Sequence, residues 1–399
     1  EIMLSDRSAR MILIGKGLRS FADGYVAVLL PAYLLALGFN QFEVGLLGTL
    51  TLAGSALATL AVGSVGHRWP HRRLLLAAAL VMAATGIAFA SLTSFWPLAL
   101  IAFVGTLNPS SGDVSVFMPL EQARLANTAD GESRTVLFSY YTVTGSLCAA
   151  VGALASGLPV WFSTAGGVAL LDAMRLMFAG YGSIGAMVWL LYRRLPGNGA
   201  QVSLPPAPLG PSRRTVFKLA ALFSVDAFAG GLVVNSLLAL WLFERFGMSL
   251  AAAGAFFFWA GLLTTASQWI APRVAQRIGL LNTMVFTHIP ANVCLILAAL
   301  APSLEISIAL LFARSALSQM DVPTRVAYVM AVVTPPERAA AASFTAVPRS
   351  LAAAVSPSLG GALFAAGWLA APLILCGALK IAYDLALWRA FRHQNKSEP

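Results

Sequence analysis

The chain has 399 residues, 58% hydrophobic and 11% charged, where a soluble domain carries about 25% charged residues. That composition excludes an ordinary soluble enzyme and reads as one integral membrane unit. The formal net charge is +10, but the basic residues fall in alternate loops instead of on one face, which argues against a nucleic-acid partner.

Twelve apolar spans are predicted, over residues 11–38, 43–66, 73–93, 96–120, 136–160, 167–192, 215–243, 250–272, 280–300, 304–332, 339–366 and 369–390. Backbone groups in hydrocarbon must pair within the segment or in a closed barrel. Barrel strands are about 10 residues long and alternate in polarity. These spans are twice as long and do not alternate, so they are predicted helices. With the N-terminus inside, seventeen Lys and Arg flank the inner ends, against Arg245 alone in the outer loops. The positive-inside rule then puts both termini in the cytoplasm and the chain, multi-pass, in the cell membrane.

The first span carries Lys16, Arg19 and Asp23 on one helical face. The fourth carries "SSGDVSVF" with Asp113, and closes on Glu121 and Arg124, which with Arg134 are expected to join a gate network on the cytoplasmic side. In the sixth, "GYGSIG" (180–185) fits a dinucleotide pattern, but within a helix it reads as close packing by small residues. Asp172 and Arg175 near its outer end read as a local pair. "LPGNGAQVSLPPAPLGPS" (195–212) is rich in Pro and Gly and reads as a linker. It divides the chain into an N-terminal six-helix half (1–194), a cytoplasmic linker (195–214) and a C-terminal half (215–399).

The seventh span carries "FSVDAFAGG" with Asp226. The ninth carries His288, read as hydrogen-bonded structure with a proton carrier as the alternative. The tenth carries "SQMDVPTR", which puts Arg314, Ser318, Asp321 and Arg325 on one face, with Pro323 expected to bend the helix. The eleventh carries Arg349 where the fifth has Gly145, and the twelfth carries Lys380 and Asp384, read as a local pair four residues apart. Cys148, Cys294 and Cys376 have neither disulfide nor metal spacing.

The halves look related. "SYYTVTGSLCAAVGALASG" (139–157) matches "SFTAVPRSLAAAVSPSLGG" (343–361), and "GFNQFEVG" (38–45) lies over "GMSLAAAG" (247–254) with both glycines in register. Parallel repeats of this kind occur in secondary transporters. The loop after the second span reads "GSVGHRWPHRR", and the second half has a fainter copy, "PRVAQRIG". With these features the chain resembles the major facilitator superfamily.

The resemblance implies an all-α membrane protein whose twelve transmembrane helices form two pseudo-symmetric six-helix bundles. It implies a cytoplasmic latch at Gly63, His67, Arg68, Arg72 and Arg73, with Gln276 and Arg277 in the second half. His67 stands where the family has Asp and Pro70 where it has Gly. The proline motif that marks proton-driven exporters is missing from the fifth span, while the eleventh has "SPSLGG". The first, fourth, seventh and tenth helices of the family line the central cavity, and each holds one interior Asp here: Asp23, Asp113, Asp226 and Asp321.

Each Asp lies near half depth, where a charge costs about 2.5–3.5 kcal/mol on insertion scales, so these acids are expected to face water, one another or a solute. The Asp321–Arg325 pair reads either as a helix-packing device or as part of that site.

The function expected is secondary active transport of a small charged or zwitterionic solute by alternating access, coupled to protons. The four Asp supply proton and cation affinity, with Lys16 and Arg314 on the same faces, and Arg19, Arg325 and Arg349 hold an anionic group. The alternatives are a multidrug proton antiporter and a non-transporting receptor on the same fold. No nucleophile–base or metal motif appears, so no enzyme, cofactor or metal is expected. The expected partners are a small-molecule substrate, protons and the lipid bilayer around a monomer, with no nucleic acid.

Overall fold

The computed structural model describes residues 7–65, 69–110, 115–125, 131–197, 209–334 and 337–392. Among these residues there are sixteen helices and no strand. They are α1 (Arg7–Ala36), α2 (Gln41–Val65), α3 (His71–Ser91), α4 (Phe95–Val104), α5 (Phe117–Leu125), α6 (Gly131–Ala155), α7 (Leu158–Gly166), α8 (Leu170–Tyr192), α9 (Arg213–Gly231), α10 (Asn235–Phe246), α11 (Leu250–Ile278), α12 (Leu280–Leu300), α13 (Leu304–Leu317), α14 (Asp321–Val332), α15 (Arg338–Ala365) and α16 (Ala371–Phe391). Nine stretches of the described residues are long and apolar enough to cross a membrane unaided. Side chains such as Leu100, Ile87 and Leu300 point outward, more than 60% exposed, a surface that suits hydrocarbon and not water.

Sixteen helices account for the twelve predicted spans because four spans are broken. The fourth is α4 and α5, the fifth α6 and α7, the seventh α9 and α10, and the tenth α13 and α14. The tenth was expected to bend and instead stops at Leu317 and restarts at Asp321. Pro323 in the first turn of α14 has no N–H to return to the preceding turn, which ends the hydrogen-bond ladder there. Broken backbone at membrane depth is tolerated where protein or a cavity satisfies it. The Ser236 N–H, just inside α10, donates to the Pro109 carbonyl at 3.1 Å, so one break serves another. Asn108 turns its own segment by accepting from the Ser110 N–H at 3.1 Å and its hydroxyl at 2.8 Å.

The helices sort into two compact units. One holds α1–α8, α10 and the start of α11; the other holds α9, the rest of α11 and α12–α16. In the first, Ile12, Leu75, Phe117, Tyr141 and Tyr192 form a core from α1, α3, α5, α6 and α8. In the second, Phe223, Leu281, Tyr328, Ala341 and Tyr383 form a core from α9, α12, α14, α15 and α16. The same five span positions supply both cores, as a duplicated unit requires.

Helices within a unit approach to backbone contact, with glycine as the means. A Cβ on Gly24 would stand 2.1 Å from the Ala149 carbonyl oxygen, and one on Gly152 would stand 2.0 Å from that of Phe21. Between lipid-embedded helices the apolar drive is weak, so small residues that permit close van der Waals packing carry much of the association.

Candidate functional site

The first unit holds a buried charge cluster built on α1 and α5. Arg19 Nη2 lies 2.5 Å from Glu121 Oε2. Glu121 is fully buried and Arg19 nearly so. Two tyrosines complete the carboxylate: the Tyr141 hydroxyl donates to Oε2 at 2.6 Å and the Tyr192 hydroxyl donates to Oε1. Gly15 makes the second bond possible, since a Cβ there would meet the Tyr192 hydroxyl at 2.3 Å. The Arg19 guanidinium also reaches Ser115 Oγ at 3.4 Å and lies 4.1 Å from the Phe117 ring centroid. Lys16 runs across Gly145, with its Nζ 4.9 Å from the Tyr141 ring centroid. Asp23 sits one turn beyond Arg19 on α1, half-buried. Asp113 lies outside the described residues.

The second unit holds a larger cluster. Asp226 on α9 faces two cations: Arg325 Nη1 is 3.0 Å from Oδ2, and Lys380 Nζ is 2.7 Å from Oδ1. Arg325 also pairs with Asp321 at 3.2 Å within α14. The intrahelical pair expected from the sequence is therefore present, and its arginine bridges to a second helix. His288 on α12 holds Asp384 on α16, with Nδ1 3.0 Å from each carboxylate oxygen. Arg314 and Arg349 are half-buried, and the Nε of each is buried without a hydrogen-bond partner.

The two clusters have one plan with the charges exchanged. Each joins the first span of its half to the fourth. Glu121 and Arg325 are each the fifth residue of their helix, α5 and α14. Opposite them stand Arg19 on α1 and Asp226 on α9, so the acid and the base have traded places.

Glu121, expected with Arg124 in a gate network, is the buried partner of Arg19, and Arg124 donates to the Pro196 carbonyl. Two expectations need correction. Lys380 and Asp384 were read as a local pair, but each reaches off its own helix, to Asp226 and His288. A buried interhelical partner removes two charges from lipid at once, which an exposed turn-to-turn pair does not. Finally, Arg314 does not share a continuous helix with Asp321 and Arg325, because Pro323 breaks the span between them. The local Asp172–Arg175 pair is as expected, at 3.0 Å and exposed.

Of the other latch residues, Arg72 donates to the Arg193 carbonyl at 2.5 Å. Arg73, Gln276 and Arg277 are exposed, and Gly63 lies in the last turn of α2. His67 and Arg68 lie outside the described residues. Sequence reasoning missed Tyr141 and Tyr192 as ligands of Glu121, and nothing in their spacing announces that role. Lys380 and Asp384 did carry a signal, being charges inside an apolar span, and it was spent on the wrong pairing.

A family model described as Major Facilitator Superfamily matches residues 12–318. The chain is 24% identical over 419 aligned residues to YJR124C, a membrane protein of Saccharomyces cerevisiae, covering 96% of this chain and 94% of that one. It is 24% identical over 327 residues to the MFS-type transporter YcaD of Salmonella dublin, covering 75% of this chain and 76% of that one. The solved structure of a D-xylose-proton symporter is similar with a TM-score of 0.74 at 13% identity, covering 96% of this chain and 97% of that chain. At that identity the likeness is one of fold. With the family match running through most of its length, the chain belongs to the major facilitator superfamily and is a membrane transporter, not an enzyme.

Proposed function

We infer that this transporter is a proton-coupled secondary carrier of a small charged or zwitterionic solute, working by alternating access of its two halves. The observation that carries the reading is Asp226, a buried acid shared by Arg325 and Lys380 with Arg349 nearby. A charge inside a membrane span is expensive and is kept where it binds an ion or a solute. The guanidinium groups of Arg325 and Arg349 suit a carboxylate or phosphate, which Arg binds bidentately. Asp226 and Asp321 suit an ammonium group or a proton. The distribution of Lys and Arg supports a cell-membrane orientation with both termini in the cytoplasm.

One observation favours a second reading. A shallow, open apolar depression of about 480 Å³ is lined by Leu13, Ile14, Gly17, Leu18, Phe21, Thr144 and Cys148. It suits a hydrophobic compound and would make the protein a multidrug proton antiporter.

The test is flux in liposomes containing the purified chain and a trapped pH dye. Amino acids, dicarboxylates, sugar phosphates and lipophilic cations are added in turn under an imposed pH gradient. The charged-solute reading expects proton movement with a polar solute, lost in Asp321→Asn while that variant remains folded in detergent. Proton movement with lipophilic cations alone would give the function to the second reading. Solute flux indifferent to the pH gradient would remove proton coupling.

A further inference from the structure

We propose that His288 and Asp384 form the proton site of this transporter, and that the proton decides which carboxylate holds Lys380. This rests on the proton-coupled reading above and names the group that reading left open. Asp226 and Asp321 are paired with lysine and arginine, which keep their charge across the physiological range. His288–Asp384 is different, because one partner is an imidazole, whose second ring nitrogen can carry or release a proton while the first keeps its bond to the carboxylate. Both residues are buried, and Nδ1 faces the carboxylate symmetrically at 3.0 Å. Asn292 donates to the His288 carbonyl at 2.9 Å, and the Tyr383 ring meets the imidazole edge-on at 6.4 Å.

The other titratable and charged groups around the pair come from every helix packed on it. They are Lys380 and Tyr383 on α16, Asp226 on α9, Asp321, Arg325 and Tyr328 on α14, Arg314 on α13 and Arg349 on α15. Only Lys380 among the cations shares a helical face with Asp384, four residues away, within reach of one side-chain swing. It lies 2.7 Å from Asp226 while His288 occupies Asp384.

With His288 protonated, imidazolium and carboxylate neutralise each other, and Lys380 stays on Asp226. When the proton leaves Nε2 for water, Nδ1–H keeps its bond but Asp384 retains a full negative charge without a counter-charge. An uncompensated buried charge is strongly unfavourable, and the Lys380 ammonium is the cation placed to relieve it. The move leaves Asp226 with Arg325 and opens one carboxylate oxygen to a solute ammonium group. Lys380 is thus the element through which a proton at one helix pair alters the solute site at another.

The experiment is structure determination of the full chain in lipid nanodiscs at about pH 5.5 and about pH 8.5, on either side of the ordinary histidine range. Alongside it, ¹⁵N-histidine NMR follows protonation over the same interval. The chain has only four histidines, so the signal lost in His288→Gln identifies this one. The expected result is Lys380 on Asp226 at low pH and on Asp384 at high pH, with His288→Gln holding the high-pH arrangement at both. Lys380 on Asp226 at both pH values in the wild type, or a His288 signal that does not titrate, would overturn the proposal without needing the variant to fold. Proton-driven flux with a fixed Lys380 would leave the functional reading standing and sink this one. A Lys380 swap without proton-driven flux would overturn both, since the pair would then respond to pH without coupling it to transport.

Discussion

Arg325 neutralises two acids at once, Asp321 on its own helix and Asp226 on α9, with Lys380 bonded to the far oxygen of Asp226. Breaking a buried ion pair by removing one partner destabilises by about 3–5 kcal/mol, because the other charge is left bare. Arg325→Met is therefore expected to lower the melting temperature in detergent sharply, and adding Asp321→Asn to it should restore part of the loss. Equal melting temperatures for the single and double variants would deny the coupling. Glu337, between α14 and α15, works by hydrogen bonds instead. Its carboxyl is pushed down to about 2, first by the Ser212 hydroxyl, then by the Thr334 hydroxyl and the N–H groups of Gly210 and Ser212. A carboxyl depressed in the folded state stabilises fully above its ordinary range and loses that contribution as pH falls toward the folded value. Glu337→Gln should thus melt below the wild type at neutral pH, and the gap should close between about pH 4 and about pH 2. A gap independent of pH would place the effect in packing alone.

At the scale of elements, the glycines that let helices meet can be separated from those that merely occupy a helix. Gly152 stands against the backbone of α1, while the nearest group to a Cβ on Gly180 is the Tyr25 hydroxyl at 3.7 Å, ordinary contact. Alanine is about 1 kcal/mol better than glycine within a helix, whereas overpacking costs about 1–3 kcal/mol. Gly180→Ala is expected to hold or raise the melting temperature, and Gly152→Ala to lower it. The reverse order would show that α1 and α6 are free to separate. The paired tenth-span helices teach a related lesson. Pro323 was visible as a perturbation, but whether it bends or breaks a span depends on what satisfies the freed backbone groups. A one-dimensional pattern does not contain those partners.

For the whole molecule, the proposed orientation makes a direct prediction. In a background without the three native cysteines, Arg245→Cys is expected to react with a membrane-impermeant maleimide added outside intact cells. Arg194→Cys, also exposed, is expected to react only after the membrane is opened. Labelling in the opposite pattern would invert the topology. The charge-exchanged clusters belong to this scale too. A duplicated unit that keeps an acid–base pair between its first and fourth spans, but swaps which side is acidic, retains the internal neutralisation while making the two halves chemically distinct.

Membrane residence and helical class were legible because each is a local property. Length, hydropathy and the position of Lys and Arg are set by the solvent a segment must enter, and they need no knowledge of neighbours. The presence of charged residues in the spans was legible for the same reason. Their partners were not. Glu121 with Arg19, Lys380 with Asp226 and Asp384 with His288 are joined across 102, 154 and 96 residues. Choosing among the possible pairings requires knowing which helices touch and on which face. That is decided by glycine contacts and broken spans in three dimensions, since a buried charge takes the partner that packing brings to it and not the one nearest along the chain.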